Sequence, residues 1–174
     1  MLMCAPAAQA LLAIGDVAPD FTAQAALAGK PFSFSLSAAL KQGPVVLYFY
    51  PKVFTSGCTV EAHLFAEASE QFAAMGAVVI GISADGIEAV QKFSVEECRN
   101  KFAVAADPDG KVIKAYDAKL TFGSSISKRV SYVIVPDGKV SYVYNSMDPK
   151  EHVSRTLEAV KSWKSRATAV SVKP

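Results

Sequence analysis

The sequence predicts an α/β fold: a mixed central β-sheet with helices on both faces. Three observations predict it. Val45-Val46-Leu47-Tyr48-Phe49-Tyr50 and Ala77-Val78-Val79-Ile80-Gly81-Ile82 are unbroken, β-prone apolar runs, the pattern of strands covered on both faces. A segment with helical apolar spacing separates them, which makes a βαβ unit. Pro136-Asp137-Gly138 lies between two further strand-like runs and is a strong hairpin turn signal.

The elements follow in order. Phe32, Phe34 and Leu36 alternate with Ser33 and Ser35, the period of a half-buried strand. Residues 45–50 form the first central strand, which Pro51 ends. Thr55-Ser56-Gly57 turns the chain, and a helix follows over 58–75. Its apolar positions are Phe65, Phe72 and Met75, with Leu64 beside them. Residues 77–82 form the second central strand, parallel to the first through a right-handed crossover. Residues 87–99 read as a helix and 111–116 as a short one. Strands over 129–135 and 139–144 flank the hairpin turn, and an amphipathic helix over 151–163 closes the pattern. The order β, βαβ, α, ββ, α fits a thioredoxin-like fold.

Length and composition bound the rest. A chain of 174 residues and 18.4 kDa reads as one domain with a sizeable core. At 51% hydrophobic and 20% charged residues it is too apolar for disorder. Its 18 Lys and Arg against 16 Asp and Glu leave a net charge of +2, which excludes the basic stripe of a nucleic-acid binder. The cysteines are Cys4, Cys58 and Cys98, with no CxxC: neither a disulfide scaffold nor a structural zinc site. Cys58, His63, Cys98 and His152 are metal-ligand types, but their spacing fits no finger pattern, so no metal is expected. Lys161, Lys164, Arg166 and Lys173 read as a solvated basic face rather than a membrane or nucleic-acid surface.

The expected organisation is an apolar leader over 1–14, a single domain over 15–165 and a flexible basic tail over 166–174. Asp16 is the first charged side chain. The stretch before it is shorter than the roughly 20 residues of a membrane helix. Ala8-Gln9-Ala10 has the small-x-small form of a signal-peptidase site, but a basic n-region is missing. Two readings stay open, the remnant of an export signal and an apolar leader on a cytosolic protein. Cytoplasmic and periplasmic locations stay open with them. Leu2-Met3-Cys4 leaves no room for the apolar segment that would precede a lipid-anchor cysteine.

In open α/β sheets the reactive site lies outside the carboxyl ends of the strands, here the loop over 51–58. Cys58 opens the first crossover helix. Free backbone N–H groups and the positive helix end there favour thiolate over thiol. Taking a thiol from a pKa of about 8.5 to about 6 corresponds to about 3.4 kcal/mol. A helix end supplies about 0.3–1 kcal/mol, and about 2 when partly buried. A cation must therefore contribute. No Lys or Arg occurs between Lys52 and Lys92, and Lys52 reads as solvent-facing. A distant arginine delivered by the fold is the better candidate, and Arg129, at the start of a hairpin strand, is the first choice. On position alone, the competing reading of Cys58 is a buried, inert core thiol.

The string from Pro51 to Cys58 has the pattern P-x-x-x-T-x-x-C, which resembles the active-site signature of the peroxiredoxins. Val46 to Lys52, then Gly57-Cys58-Thr59 with Glu61 and Phe65, resemble the bacterioferritin-comigratory-protein or peroxiredoxin Q subfamily. So do Gly15-Asp16 with Ala18-Pro19-Asp20-Phe21, Gly81-Ile82-Ser83-Ala84-Asp85, and Arg129-Val130-Ser131-Tyr132-Val133-Ile134 with Asp137-Gly138. The likeness is colinear from about residue 15 to 163.

The resemblance implies a thiol-dependent peroxidase without metal, haem or flavin, a monomer or weak dimer. It implies reduction of hydrogen peroxide and organic hydroperoxides, with thioredoxin or a similar dithiol as reductant. Cys58 matches the thiol that attacks the peroxide and becomes a sulfenic acid. Thr55 matches the Thr whose hydroxyl accepts from peroxide and donates to the thiolate; its alternative is a helix cap. Pro51 matches the Pro that shields the thiolate, besides ending a strand. Arg129 matches the Arg that stabilises the thiolate and the leaving oxygen; its alternative is a surface residue. Glu61 matches a frequent Glu of the first turn, which orients the Arg or complements the helix dipole.

Departures concern the recycling step. Many subfamily members carry a resolving Cys five residues after the first, where this chain has His63. Others place it on the next helix, and Cys98 in Cys98-Arg99-Asn100-Lys101-Phe102 resembles that arrangement. This implies an intramolecular Cys58–Cys98 disulfide formed after local unwinding, because Cα atoms more than about 7 Å apart cannot be bridged. The rivals are a one-Cys enzyme served by an external thiol, with Cys98 a small core hydrophobe, and a thioredoxin-fold redox sensor with poor turnover. Val53 and Phe54 are more apolar than the charged pair often found there, which points to bulkier, apolar hydroperoxides.

Overall fold

The computed structural model describes residues 10–121 and 125–171. Its elements are β1 (Thr22–Leu27), β2 (Lys30–Ser35), α1 (Leu36–Leu40), β3 (Val45–Phe49), α2 (Ser56–Ala74), β4 (Val78–Ser83), α3 (Ile87–Glu96), β5 (Ala103–Ala106), α4 (Lys111–Ala115), β6 (Val130–Ile134), β7 (Val140–Asn145) and α5 (His152–Ser171). The strands form one sheet in the order β2-β1-β5-β4-β3-β6-β7. β3, β4 and β5 run parallel, and the remaining pairings are antiparallel.

The apolar runs explain the centre. Every residue of β3 and of β6 is buried. Alternate side chains of β3 then serve two cores. Val46 and Tyr48 pack with Phe65, Phe72, Val90, Phe93 and Leu157 under α2, α3 and α5. Val45, Leu47 and Phe49 pack with Ile80, Ile113, Tyr116 and Tyr132 on the face that carries α1 and α4. The expected mixed sheet with helices on both faces is what the chain forms. β3 and β4 pair in parallel with Val45 opposite Val78.

Differences from the sequence reading have local causes. β1 and β5, the Ala-rich TAQAAL and AVAA, lack the branched runs that mark a strand. Register makes them strands: Ala25 and Ala26 lie opposite Ala105 and Val104, all without exposed surface. The strand expected through Leu36 stops at Ser35, whose hydroxyl accepts from Ala38 N–H and starts α1. α3 ends at Glu96, before the expected 99, and Arg99 and Asn100 then take left-handed φ of 51° and 60°. α5 continues past Trp163 to Ser171, so the flexible tail expected over 166–174 is helix up to that residue. Leu11 and Leu12 pack against the second core, ahead of the expected boundary at residue 15. Residues 1–9, with Cys4 and most of the expected leader, lie outside the described residues.

Gly81 of β4 tests this packing. An added Cβ would lie 2.6 Å from Tyr48 Cζ. The Tyr48 ring is buried and stacked on Phe65 of α2, with centroids 4.4 Å apart. Backbone on one side and a stacked ring on the other leave no room to yield. Gly81→Ala should therefore lower stability by about 1–3 kcal/mol, read as a lower urea midpoint at unchanged slope. An unchanged midpoint would show that the Tyr48 layer is not close-packed.

Candidate active site

The loop between β3 and α2 is tied down from two directions. Tyr50 carbonyl accepts from Ser127 Oγ at 2.8 Å. Val53 N–H donates to Asp85 Oδ2 at 2.9 Å, and Ser83 Oγ donates to the same oxygen at 2.8 Å. Asp85 lies just beyond β4, so the second central strand fixes the loop that follows the first. Val53 is buried, whereas Phe54 is 45% exposed with a left-handed φ of 59°. The Phe54 ring sits edge-on to Phe93, centroids 5.4 Å apart.

Thr55 occupies the N-cap of α2 without a capping side-chain bond. Its hydroxyl donates to Lys52 carbonyl at 3.0 Å. That corrects one expectation: the proton is committed to the loop rather than to the thiolate, which leaves the oxygen lone pairs as acceptors. Pro51 is half-buried at the start of the loop, and Lys52 is exposed. Cys58, in the first turn of α2, is only 2% exposed.

Sheet register delivers the cation. Phe49 pairs with Val130, so Arg129 enters β6 beside Tyr50, at the end of β3 where the loop begins. Arg129 is 4% exposed. Its Nη2 donates to Cys58 Sγ at 3.4 Å, its Nη1 to Glu61 Oε2 in a short contact, and its Nε to Met147 carbonyl at 3.1 Å. Gly57 permits this approach, because a Cβ there would lie 3.0 Å from Nη2. Glu61 is fully buried and lies beyond the first turn of α2, away from the helix end; its carboxylate meets Arg129 instead. Burial pushes the Glu61 carboxyl upward, against the pull of Arg129. Burial alone would lower the Arg129 guanidinium, but Glu61 and Cys58 outweigh it and hold it charged.

His152, the first residue of α5, stands behind Glu61. Its Nδ1 is 2.8 Å from Ser131 Oγ and 3.6 Å from Glu61 Oε1, and its Nε2 is 2.8 Å from Ser146 carbonyl. Sequence reasoning weighed His152 only as a metal-ligand type and did not single out Ser131, Met147 or Ser127. Three of these four act through a hydroxyl or a main-chain carbonyl, groups that carry no sequence signal. Among the described residues, no group of three or more His, Cys, Asp or Glu could hold a metal. None of the described helices is long and apolar enough to cross a membrane.

Cys98 is placed in the turn after α3, fully buried, its N–H bonded to Phe93 carbonyl at 3.0 Å. Burial, with a smaller push from Glu97, raises its thiol well above the ordinary range. Cys58 and Cys98 are both free thiols and share the core under α2 and α3. Three contacts fasten the Cys98 segment to α2: His63 Nε2 to Glu97 Oε2 at 2.7 Å, Glu67 to Arg99 at 3.6 Å and Glu70 to Lys101 at 3.6 Å.

Known proteins are similar to this chain over most of its length. The model of the AhpC/TSA family matches residues 14–143. The chain belongs to that family. It is 34% identical over 151 residues to the chloroplastic peroxiredoxin Q of Sedum lineare, covering 86% of this chain and 78% of that one. It is 35% identical over 122 residues to peroxiredoxin Bcp of Bacillus subtilis, covering 67% of this chain and 77% of that one. The crystal structure of peroxidoxin BcpB from Mycobacterium tuberculosis superposes with a TM-score of 0.77 at 32% identity, over 86% of this chain and 96% of that one. These relatives make the chain a thiol-dependent peroxidase of the peroxiredoxin Q/Bcp type with a thioredoxin-like fold.

His152 gives the site a pH signature. Burial, with Arg129 adding, lowers its imidazole to about 4, although the bond to Ser146 opposes the shift. In the unfolded chain it titrates near about 6.5. Between those values the unfolded chain holds the extra proton, so acidification removes stability. From about pH 7 down to about pH 4, the native protein should lose about 3 kcal/mol more than His152→Gln, a difference that urea titrations at both pH values measure. Parallel losses would exclude a neutral buried imidazole.

Proposed function

We propose that peroxide reduction runs through Cys58, with Arg129 as its electrostatic partner. The observation that carries this reading is the buried Arg129 Nη2 at 3.4 Å from Cys58 Sγ. A guanidinium there stabilises the thiolate, and then the negative charge that grows on the departing oxygen. Thr55 offers oxygen lone pairs to the peroxide O–H, and Pro51 covers the thiolate. The thiolate attacks one peroxide oxygen, an S–O bond forms and the O–O bond breaks. The products are a Cys58 sulfenic acid and a hydroxide or alkoxide, which takes a proton to leave as water or alcohol. Glu61 turns Arg129 toward the sulfur. Phe54, exposed beside the loop, supports a preference for apolar hydroperoxides over hydrogen peroxide alone.

Cys98 then resolves the sulfenic acid: its sulfur displaces the hydroxyl, water leaves, and a Cys58–Cys98 disulfide forms. Thioredoxin or a similar dithiol returns the disulfide to two thiols by exchange. Both thiols lie in one buried cluster, which supports this route. The competing reading is one-Cys chemistry with an external thiol. It is favoured by the full burial of Cys98 and its raised thiol, which make it a poor nucleophile until the segment opens.

Intact mass after one equivalent of peroxide separates the two. A product about 2 Da lighter with a cross-linked Cys58–Cys98 peptide supports resolution by Cys98, and a stable product about 16 Da heavier on Cys58 supports one-Cys chemistry. Cys58→Ser should abolish peroxide consumption. Cys98→Ser should abolish turnover linked to thioredoxin while sparing the first oxidation. Full thioredoxin-linked turnover in Cys98→Ser removes the resolving role.

Gly57→Ala probes the cation. The new methyl group pushes against Arg129 Nη2 and displaces it from sulfur. The rate of Cys58 oxidation should fall about tenfold or more with the circular dichroism spectrum unchanged, because sub-ångström displacement of a charge partner is felt directly at the reacting atom. A wild-type rate would show that the Arg129–Cys58 contact is not needed.

A further inference from the structure

Arg129 aims at Cys58 through a planar fork, and a planar fork has one remaining direction once two of its donors are fixed. Glu61 fixes Nη1, and Met147 carbonyl fixes Nε. The Met147 carbonyl is a main-chain group on the connection between β7 and α5, so whatever holds that connection aims the arginine. Two bonds hold it close by. Ser146 N–H donates to Arg129 carbonyl at 3.2 Å. Ser146 carbonyl lies 2.8 Å from His152 Nε2.

Partner chemistry sets the tautomer. A carbonyl only accepts, so His152 Nε2 carries the proton. Nδ1 then holds a lone pair and accepts from Ser131 Oγ at 2.8 Å. The ring is rigid and has no exposed surface. It spans from β6 to the 146–147 connection, a reach with two fixed ends that no hydroxyl or short carboxamide supplies. The groups facing it are Ser131 from β6, Glu61 Oε1 from α2 at 3.6 Å, Tyr144 from β7 with ring centroids 4.8 Å apart, and Ser146 and Asp148 from the connection, with Arg129 beyond Glu61.

We infer that His152 is a positioning residue of the peroxidase site: its Nε2–H pins the Ser146 carbonyl, and thereby the Met147 carbonyl that holds Arg129 Nε and turns Nη2 onto Cys58. This rests on the reading of Cys58 and Arg129 given above. His152 touches neither sulfur nor peroxide, and acts only through the main chain and the guanidinium.

Two substitutions separate the ring nitrogens. His152→Asn keeps an acceptor near the Nδ1 position and has nothing at Nε2. His152→Gln carries an N–H donor near Nε2. In single-turnover oxidation by hydrogen peroxide, His152→Asn should slow Cys58 oxidation about ten- to a hundredfold and His152→Gln should recover most of that loss. The thiolate absorbance of His152→Asn should rise at a higher pH than in the wild type. In an Arg129→Ala background, His152→Asn should cost nothing further, because the group it positions is gone.

A folded His152→Asn protein with the wild-type rate overturns the inference. So does an equal loss with and without Arg129, which marks a merely structural anchor of α5. Nitrogen NMR of the histidine-labelled wild type needs no variant: a proton on Nε2 supports the inference and a proton on Nδ1 overturns it. Cys58→Ser runs beside these in the same assay. If it still consumes peroxide, the reading of Cys58 fails and the inference falls with it. If it is inert while His152→Asn is fast, only the role of His152 falls.

Discussion

A guanidinium with 4% of its surface exposed, set between a thiol and a carboxylate, is the constraint on which the site depends. Burying a charge is costly unless every donor finds an acceptor, and removing one partner of a buried pair costs about 3–5 kcal/mol. Three donor nitrogens of Arg129 are engaged: a sulfur, a carboxylate and a carbonyl. The surroundings follow from that requirement. Gly57 stays small because the guanidinium lies over it. Glu61 is tolerated in the core because Arg129 neutralises it. The β3–β6 pairing is central because it alone carries residue 129 to the loop where Cys58 begins its helix.

The proposed activation of the thiol turns on which of two effects is larger. A helix end by itself contributes about 0.3–1 kcal/mol, with a ceiling near 2. On the proposed reading, an arginine in hydrogen-bonding contact within a water-poor site acts more strongly than the helix end, because charge–charge attraction strengthens as the effective dielectric falls. The carboxylate behind it works in the opposite direction on the sulfur. Its compensation is geometric: a guanidinium held at two corners does not swing away when the sulfur is oxidised and its charge is lost.

The legible part of the fold is the part whose local chemistry agrees with its tertiary role. β3, β4, α2 and the hairpin could be placed because branched and aromatic runs, helical spacing and Pro136-Asp137-Gly138 each point one way. β1 and β5 escaped because Ala carries no strand preference, and their pairing comes from neighbours far along the chain. At the site, Cys58 and Thr55 lie in one contiguous motif. Arg129 was reachable because the charge arithmetic called for a cation, none lies between Lys52 and Lys92, and residue 129 opens a hairpin strand. Glu61 was recognised but assigned to the first turn, one turn too early. His152 escaped because its partners are a hydroxyl and a carbonyl, and its meaning lies in the tautomer they impose.

Cys98 places the fold and the proposed chemistry in tension, and the turn that holds it shows how the two are reconciled. As a buried thiol it is shielded from oxidant while Cys58 reacts. To reach Cys58 it must leave that shelter. The contacts that hold the 97–101 segment on α2 are mostly pairs between exposed side chains, each worth about 0–1 kcal/mol. Arg99 and Asn100 follow in left-handed conformations; Asn tolerates this, whereas an ordinary residue such as Arg99 bears about 1–2 kcal/mol for it. Release of the segment forfeits the weak pairs, the His63–Glu97 contact and the backbone bonds of Cys98 and Asn100 to α3, recovers part of that strain, and exposes one small side chain and its neighbours. Local openings of this kind are drawn from the low-stability end of a structure. On the proposed route, the segment after α3 has to be fastened firmly enough to hide a thiol and loosely enough to surrender it.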